Sequence, residues 1–166
     1  MISRRTALPA VLLLALTAAC GGDDSDAIAE DPPAYANQTG TEGAQKFAGY
    51  WVEQMNEATT SGETDELRSL GLKACETCSD FPQQLDDIYE AGGRVETEDW
   101  TVKTVVPEAG ATDEQVGMLL TVTIPPNTVY ATEDAKPQEY PGGDQRFRMI
   151  VVREAQHWMI KELGPR

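Results

Sequence analysis

Halfway along the chain the spacing of apolar residues changes from the period of a helix to that of a strand, and this change limits the fold more than any other feature. Ala44, Phe47, Ala48, Trp51, Met55 and Ala58 recur at helical spacing on one face, while Lys46, Glu53, Gln54 and Glu57 take the other. From position 100 onward the period is two. Trp100, Val102, Thr104 and Val106 alternate with polar neighbours, then Val116, Met118, Leu120, Val122 and Ile124, then Phe147, Met149 and Val151. Helices that come first and strands that follow imply an α+β fold with helices packed on an antiparallel sheet.

Local signals place the boundaries. Thr39 with Glu42 three positions later matches a capping box, and Ser61-Gly62 stops the helix that follows. Residues 64–70 predict a short second helix. A third is expected to open at Asp80 with Pro82 in its first turn, to carry Phe81, Leu85, Ile88 and Tyr89, and to stop at Ala91-Gly92-Gly93. Residues 146–153 and 156–163 are close enough to form a hairpin about Glu154-Ala155. On those strands Ile150 and Val152, like Leu119, point opposite to the first apolar set. Both sheet faces are therefore apolar, one to be covered by the helices and the other by a homodimer partner or by loops such as residues 125–140.

The N-terminus reads as an export signal. Ser3-Arg4-Arg5 is a short basic region and residues 7–19 are apolar apart from Pro9 and Thr17. Thirteen positions fall short of the roughly 20 a membrane-spanning helix needs, and no later stretch is longer or more apolar. The stretch L-T-A-A-C ending at Cys20 resembles the lipobox of bacterial lipoproteins, which implies a lipid on Cys20 and cleavage before it. S-R-R-T-A-L also has some likeness to a twin-arginine signal, so the sequence leaves the export route open. Residues 21–37 are small, acidic and proline-containing, without periodicity, and read as a tether. Its coil-like reach is roughly 25 Å. The expected organisation is thus a signal peptide over residues 1–19, a lipidated cysteine and tether over 20–38, and one domain over 39–166.

The whole chain carries 13 basic and 28 acidic residues, a net charge of −15. Loss of residues 1–19 removes Arg4 and Arg5 and brings it to −17. Such a surface repels phosphate backbones and anionic headgroups, which argues against nucleic acid and against a second, polybasic membrane contact. The lipid on Cys20 must do the anchoring, on the outer face of the cell membrane.

Several segments together carry a family resemblance. A leading helix with Phe47, Tyr50 and Trp51, then T-S-G-E-T-D-E-L, more helix, a long sheet and a closing H-W-M-I-K-E-L are similar to the cone-shaped nuclear transport factor 2-like fold. More narrowly, G-A-Q-K-F-A-G-Y-W, C-E-T-C and Y-E-A-G-G-R-V-E resemble an actinobacterial lipoprotein family, domain of unknown function 6318. The resemblance implies an address and an architecture and assigns no activity.

The pair in C-E-T-C, Cys75 and Cys78, is the strongest chemical feature. Zinc wants four ligands, and beyond this pair only His157 is a typical soft ligand once Cys20 is acylated, so no metal or other cofactor is expected. Outside the membrane the expected state is a disulfide, and closing a four-residue loop gives only about 2 kcal/mol. A redox pair is the alternative, though Glu76 and Asp80 oppose the lowered thiol pKa it would require. Cone folds also host pocket enzymes, and Tyr50, Tyr89, Asp99 and His157 are the candidate pocket residues. None forms a recognisable catalytic constellation. The sequence therefore supports a cell-surface lipoprotein with a binding or interaction domain for an envelope protein or small ligand, with a pocket enzyme or an extracytoplasmic thiol oxidoreductase as rivals.

Overall fold

The computed structural model describes Pro33 and residues 38–166. The expected signal, Cys20 and nearly all of the expected tether lie outside the described residues. Three helices, α1 (Gly40–Ser61), α2 (Asp65–Ser69) and α3 (Glu76–Glu90), precede seven strands. The strands are β1 (Arg94–Glu96), β2 (Thr101–Pro107), β3 (Gln115–Ile124), β4 (Asn127–Tyr130), β5 (Gln138–Tyr140), β6 (Gly143–Glu154) and β7 (His157–Pro165). They form a four-stranded antiparallel sheet in the order β2-β3-β6-β7 and a three-stranded one in the order β1-β4-β5. The expected α+β class with helices on an antiparallel sheet is what the chain adopts.

The second sheet replaces the loop expected over residues 125–140. Two of the three sheet changes are written in proline and glycine. Pro125-Pro126 interrupts the chain between β3 and β4, and Pro141-Gly142 interrupts it between β5 and β6. At Gly142 the backbone has φ 68°, and a Cβ there would stand 2.4 Å from the Ile124 carbonyl. The β3–β6 pair and the β4–β5 pair are thus one long hairpin bent sharply across its middle, which is why a single run of strands yields two sheets.

The apolar stripe of α1 lies on the inner face of the larger sheet. Phe47, Trp51, Val116, Met118, Leu120, Met149, Val151, Trp158 and Ile160 are each 2% exposed or less. Burying one such side chain contributes about 1.5–3 kcal/mol, so this end carries most of the hydrophobic stabilisation. Ala44 and Ala48, both fully buried, keep the helix close to the strands.

Several boundaries differ from the sequence reading. Thr39 precedes α1 but makes no capping hydrogen bond, because Gly40 at φ 68° turns the chain away and the Glu42 carboxylate pairs with Lys46 Nζ at 2.7 Å. α3 begins at Glu76, so Pro82 lies within the helix, almost fully buried, rather than in the first turn. The final hairpin turns on Ala155 and Gln156, at φ 47° and 81°, one residue beyond the expected centre, with Glu154 opposite His157. In β2 the register shifts between Val102 and Thr104, so Val105 packs on the core while Val106 is 52% exposed. A bulge of one residue reverses the face of everything after it, and strict alternation cannot anticipate it.

Hydrogen bonds from other elements reach both edges of the larger sheet. On α1, the Gln45 amide donates to Val105 O at 2.9 Å, serving the β2 edge. At the other edge, Ile160 N–H donates to Leu70 O and Leu72 N–H to Ile160 O, each at 2.8 Å. The link from α2 to α3 thereby acts as a short extra strand along β7. The outer face keeps the partly exposed Leu119, Ile150 and Val152 expected there. Arg148, paired with Glu108 at 2.8 Å, stands among them.

Candidate functional site

Below the bend between the two sheets the cone is hollow. A cavity of about 660 Å³ lies between α1, α3 and the inner surfaces of both sheets. Met55 and Thr59 from the C-terminal half of α1 and Phe81, Leu85 and Ile88 from α3 form one wall. Trp100, Ile124 and Phe147 from the larger sheet and its approach, with Val95 and Val129 from the smaller one, form the opposite wall. Gln84, Thr97, Asn127, Tyr140 and Gln145 complete the lining with uncharged polar groups. Among the described residues, no Asp, Glu, Lys, Arg or His lines the cavity.

Local sequence positions these walls. Trp100 sits at the join of β1 and β2, where its N–H donates to Asn56 Oδ1 at 2.8 Å and its carbonyl accepts from Asn56 Nδ2 at 3.1 Å. One amide on α1 therefore satisfies both backbone groups of the residue at the bend, and the indole is fixed against Phe147, with ring planes 8° apart and centroids 6.4 Å apart. Phe81 meets Phe147 edge to face at 6.4 Å. These contacts leave the aromatic wall little freedom to collapse inward.

Of the predicted pocket residues, none lines the cavity. Tyr50 is 6% exposed and its hydroxyl donates to Glu66 Oε1 at 3.0 Å, joining α1 to α2. Tyr89 lies over Gly62, where a Cβ would come within 2.6 Å of its ring, and its hydroxyl donates to Thr59 O at 2.6 Å. Asp99 is exposed before β2, and His157 is exposed at the final hairpin. The two tyrosines hold helices together, and the four residues do not converge. The sequence signal that could have located the cavity is the pair of Pro/Gly interruptions, which marks where the sheets part.

Cys75 and Cys78 are joined by a disulfide with Sγ–Sγ 2.09 Å and lie only 3% and 6% exposed. Cys75 precedes α3 and Cys78 lies in its first turn, against Gly71, where a Cβ would stand 2.5 Å from Cys78 Cβ. The bridge thus braces the segment that covers the β7 edge. Beside it, Arg68 pairs with Asp86, which also accepts from the Thr64 hydroxyl at 2.6 Å, tying α2 to α3. No group of His, Cys, Asp and Glu among the described residues is arranged to hold a metal ion.

The resolved charge perturbations lie away from the cavity. The Arg148 guanidinium hydrogen-bonded to Glu108 lowers that carboxyl's pKa. Hydrogen bonds from Lys103 and Thr123 lower that of Asp144. Both carboxylates belong to the outer surface of the larger sheet, so they balance surface charge and do not prepare an acid or base for chemistry.

These features define an α+β cone domain closed at one end and hollow at the other. Residues 31–164 match the family described as "Family of unknown function (DUF6318)", and the chain belongs to that family. Among curated proteins none matches the chain. The intermembrane space region of the chloroplast protein ARC6 is similar in structure, with TM-score 0.50 and 12% identity, over 74% of this chain and 92% of that one. A protein from Novosphingobium aromaticivorans whose name proposes an aromatic ring hydroxylase gives TM-score 0.50 and 7% identity, over 73% and 86%. An uncharacterised protein with a cystatin-like fold from Caulobacter vibrioides gives TM-score 0.49 and 9% identity, over 74% and 89%. At these identities the likeness is one of fold alone.

Proposed function

We propose that this chain is a lipid-anchored envelope protein whose cone holds a small apolar ligand. The observation that carries the reading is the cavity of about 660 Å³, which lies within the range of roughly 300–1,000 Å³ usual for small-molecule sites and has mostly apolar walls. A binding role is favoured over catalysis because the lining offers no acid, base or nucleophile beyond hydroxyls and amides.

The placement of the tether fits this reading. Gln38 sits at the closed end, its carbonyl accepting from Trp158 Nε1 at 2.7 Å, and Gly43 gives it room, since a Cβ there would stand 1.6 Å from that oxygen. Thr59, at the cavity, is 19 residues beyond the start of α1, or about 28 Å at 1.5 Å per residue. In a chain anchored through Cys20, the tether would thus join the domain at the end away from its cavity. No helix among the described residues is long and apolar enough to cross a membrane, so the anchor in this reading is the lipid alone.

Two measurements test the proposal. Cys20→Ser should move the protein from the membrane fraction to the medium, and retention on membranes would remove the anchor. The released full-length Cys20→Ser protein should bind the neutral fluorescent probe N-phenyl-1-naphthylamine with one site per chain. Narrowing the cavity with Ile88→Trp should weaken that binding while the circular dichroism spectrum stays unchanged, and a probe affinity that Ile88→Trp leaves untouched would place the ligand elsewhere.

A further inference from the structure

The lining of the cavity also restricts the charge of what can enter it. We propose that the ligand is an uncharged amphiphile: an apolar body bearing a neutral hydrogen-bonding end such as a hydroxyl or amide. This rests on the binding role just proposed and specifies its ligand class.

The buried part of the lining is hydrocarbon and aromatic ring, from Met55, Leu85 and Phe147. Its polar groups are all neutral. Gln145 stands opposite Val122 in register, on the inner face of the sheet, yet is itself exposed, which puts its amide at the mouth. That amide has no hydrogen-bond partner among the described residues, and it offers both a donor and an acceptor. Tyr140 is 42% exposed and stands opposite Asn127, so a phenol and a second amide occupy the same rim.

Three charged groups close by in sequence are engaged elsewhere. Asp144, adjacent to Gln145, is on the outer face with Lys103 at 2.7 Å and the Thr123 hydroxyl at 2.8 Å. Arg94 and Glu96, either side of Val95, pair with each other at 2.8 Å, and Arg94 lies over the Tyr130 ring, 3.7 Å from its centroid. A ligand carboxylate, phosphate or ammonium would lose its hydration on entering and find no opposite charge in the lining. A hydroxyl or amide would exchange water for Gln145, Asn127 or Tyr140 at little cost.

A matched series tests this: 1-dodecanol below its solubility limit, and dodecanoate and dodecyltrimethylammonium below their micelle concentrations, at pH 7.5, displacing N-phenyl-1-naphthylamine from the full-length Cys20→Ser protein. Dodecanol should compete at least about tenfold more tightly than either ion. A smaller preference, or tighter binding of either ion, overturns the inference while leaving the binding role intact. Gln145→Lys, a change at an exposed position, should raise dodecanoate affinity at least about tenfold, so that dodecanoate gains on dodecanol. No gain for dodecanoate would show that position 145 does not face the ligand's end, and would overturn the assignment of the mouth. If the naphthyl probe itself does not bind, the binding role falls and the inference with it.

Discussion

The two ends of the cone share α1, β3 and β6 and reach opposite results. At the closed end α1 presents Ala44, Phe47, Ala48 and Trp51 to the middle of β3, β6 and β7, and every large side chain there is enclosed. Small residues alternate with large ones, so helix and sheet approach until no space remains. At the open end α1 presents Met55 and Thr59, but the strands opposite them have reached Pro125-Pro126 and Pro141-Gly142 and turn into a second sheet. The surface that should close on the helix has changed direction. Filling therefore depends on continuity of the sheet as well as on apolar composition, because apolar residues line both ends.

Substitution should separate the ends most strongly where packing is complete. Trp51→Ala at the closed end should cost about 3–5 kcal/mol in denaturant unfolding, through lost transfer energy and the void left behind. Leu85→Ala, at the cavity wall, should cost nearer 2 kcal/mol, since its neighbours already face open space. Equal losses would mean that the hollow end is packed in solution.

A smaller effect is expected from the disulfide that braces the closed end. The full-length Cys20→Ser protein should show no free thiol, and replacing Cys75 and Cys78 together with Ser should cost about 1–3 kcal/mol without unfolding the domain, as a four-residue loop allows. A reduction potential below about −300 mV would fit a structural bridge, and one near −150 mV would make the pair a redox centre. The burial of both sulfurs favours the structural role, since an attacking thiolate must reach one of them.

The smallest effect should come from the outer surface that both ends share. Glu108 has its pKa lowered by Arg148, so the folded state holds its proton less tightly than the unfolded state does. Its contribution is present above the unfolded carboxylate pKa and is lost as pH falls through the folded one. Glu108→Gln should therefore flatten the dependence of stability on pH across the acid range and leave probe binding at pH 7.5 unchanged. The exposure of this pair to solvent keeps the effect small.

Much of the frame was legible in the residues themselves. Helical spacing from Ala44 to Ala58 located α1, Gly62 located its end, and the alternation around Val116–Ile124 and Phe147–Val151 located the central strands. These signals are local, since each depends on which side of one element a residue occupies. Cys75 and Cys78 were likewise expected to form a disulfide, the default for a cysteine pair outside the membrane, and the structure joins them.

What only the tertiary structure decided depends on residues far apart in the chain. The bulge that turns Val106 outward is set by how β2 registers on β3. The helix start at Glu76, before a buried Pro82, is set by packing among α2, α3 and β7. The cavity is set by where β3 and β6 stop running along α1, so Tyr50, Tyr89, Asp99 and His157 could not be sorted from Trp100, Leu85 and Gln145 by type or spacing. Sequence determines the face on which a side chain lies, because period is a property of one element. Whether that face meets a neighbour or encloses space depends on the distance between elements, which is fixed only when all of them pack together.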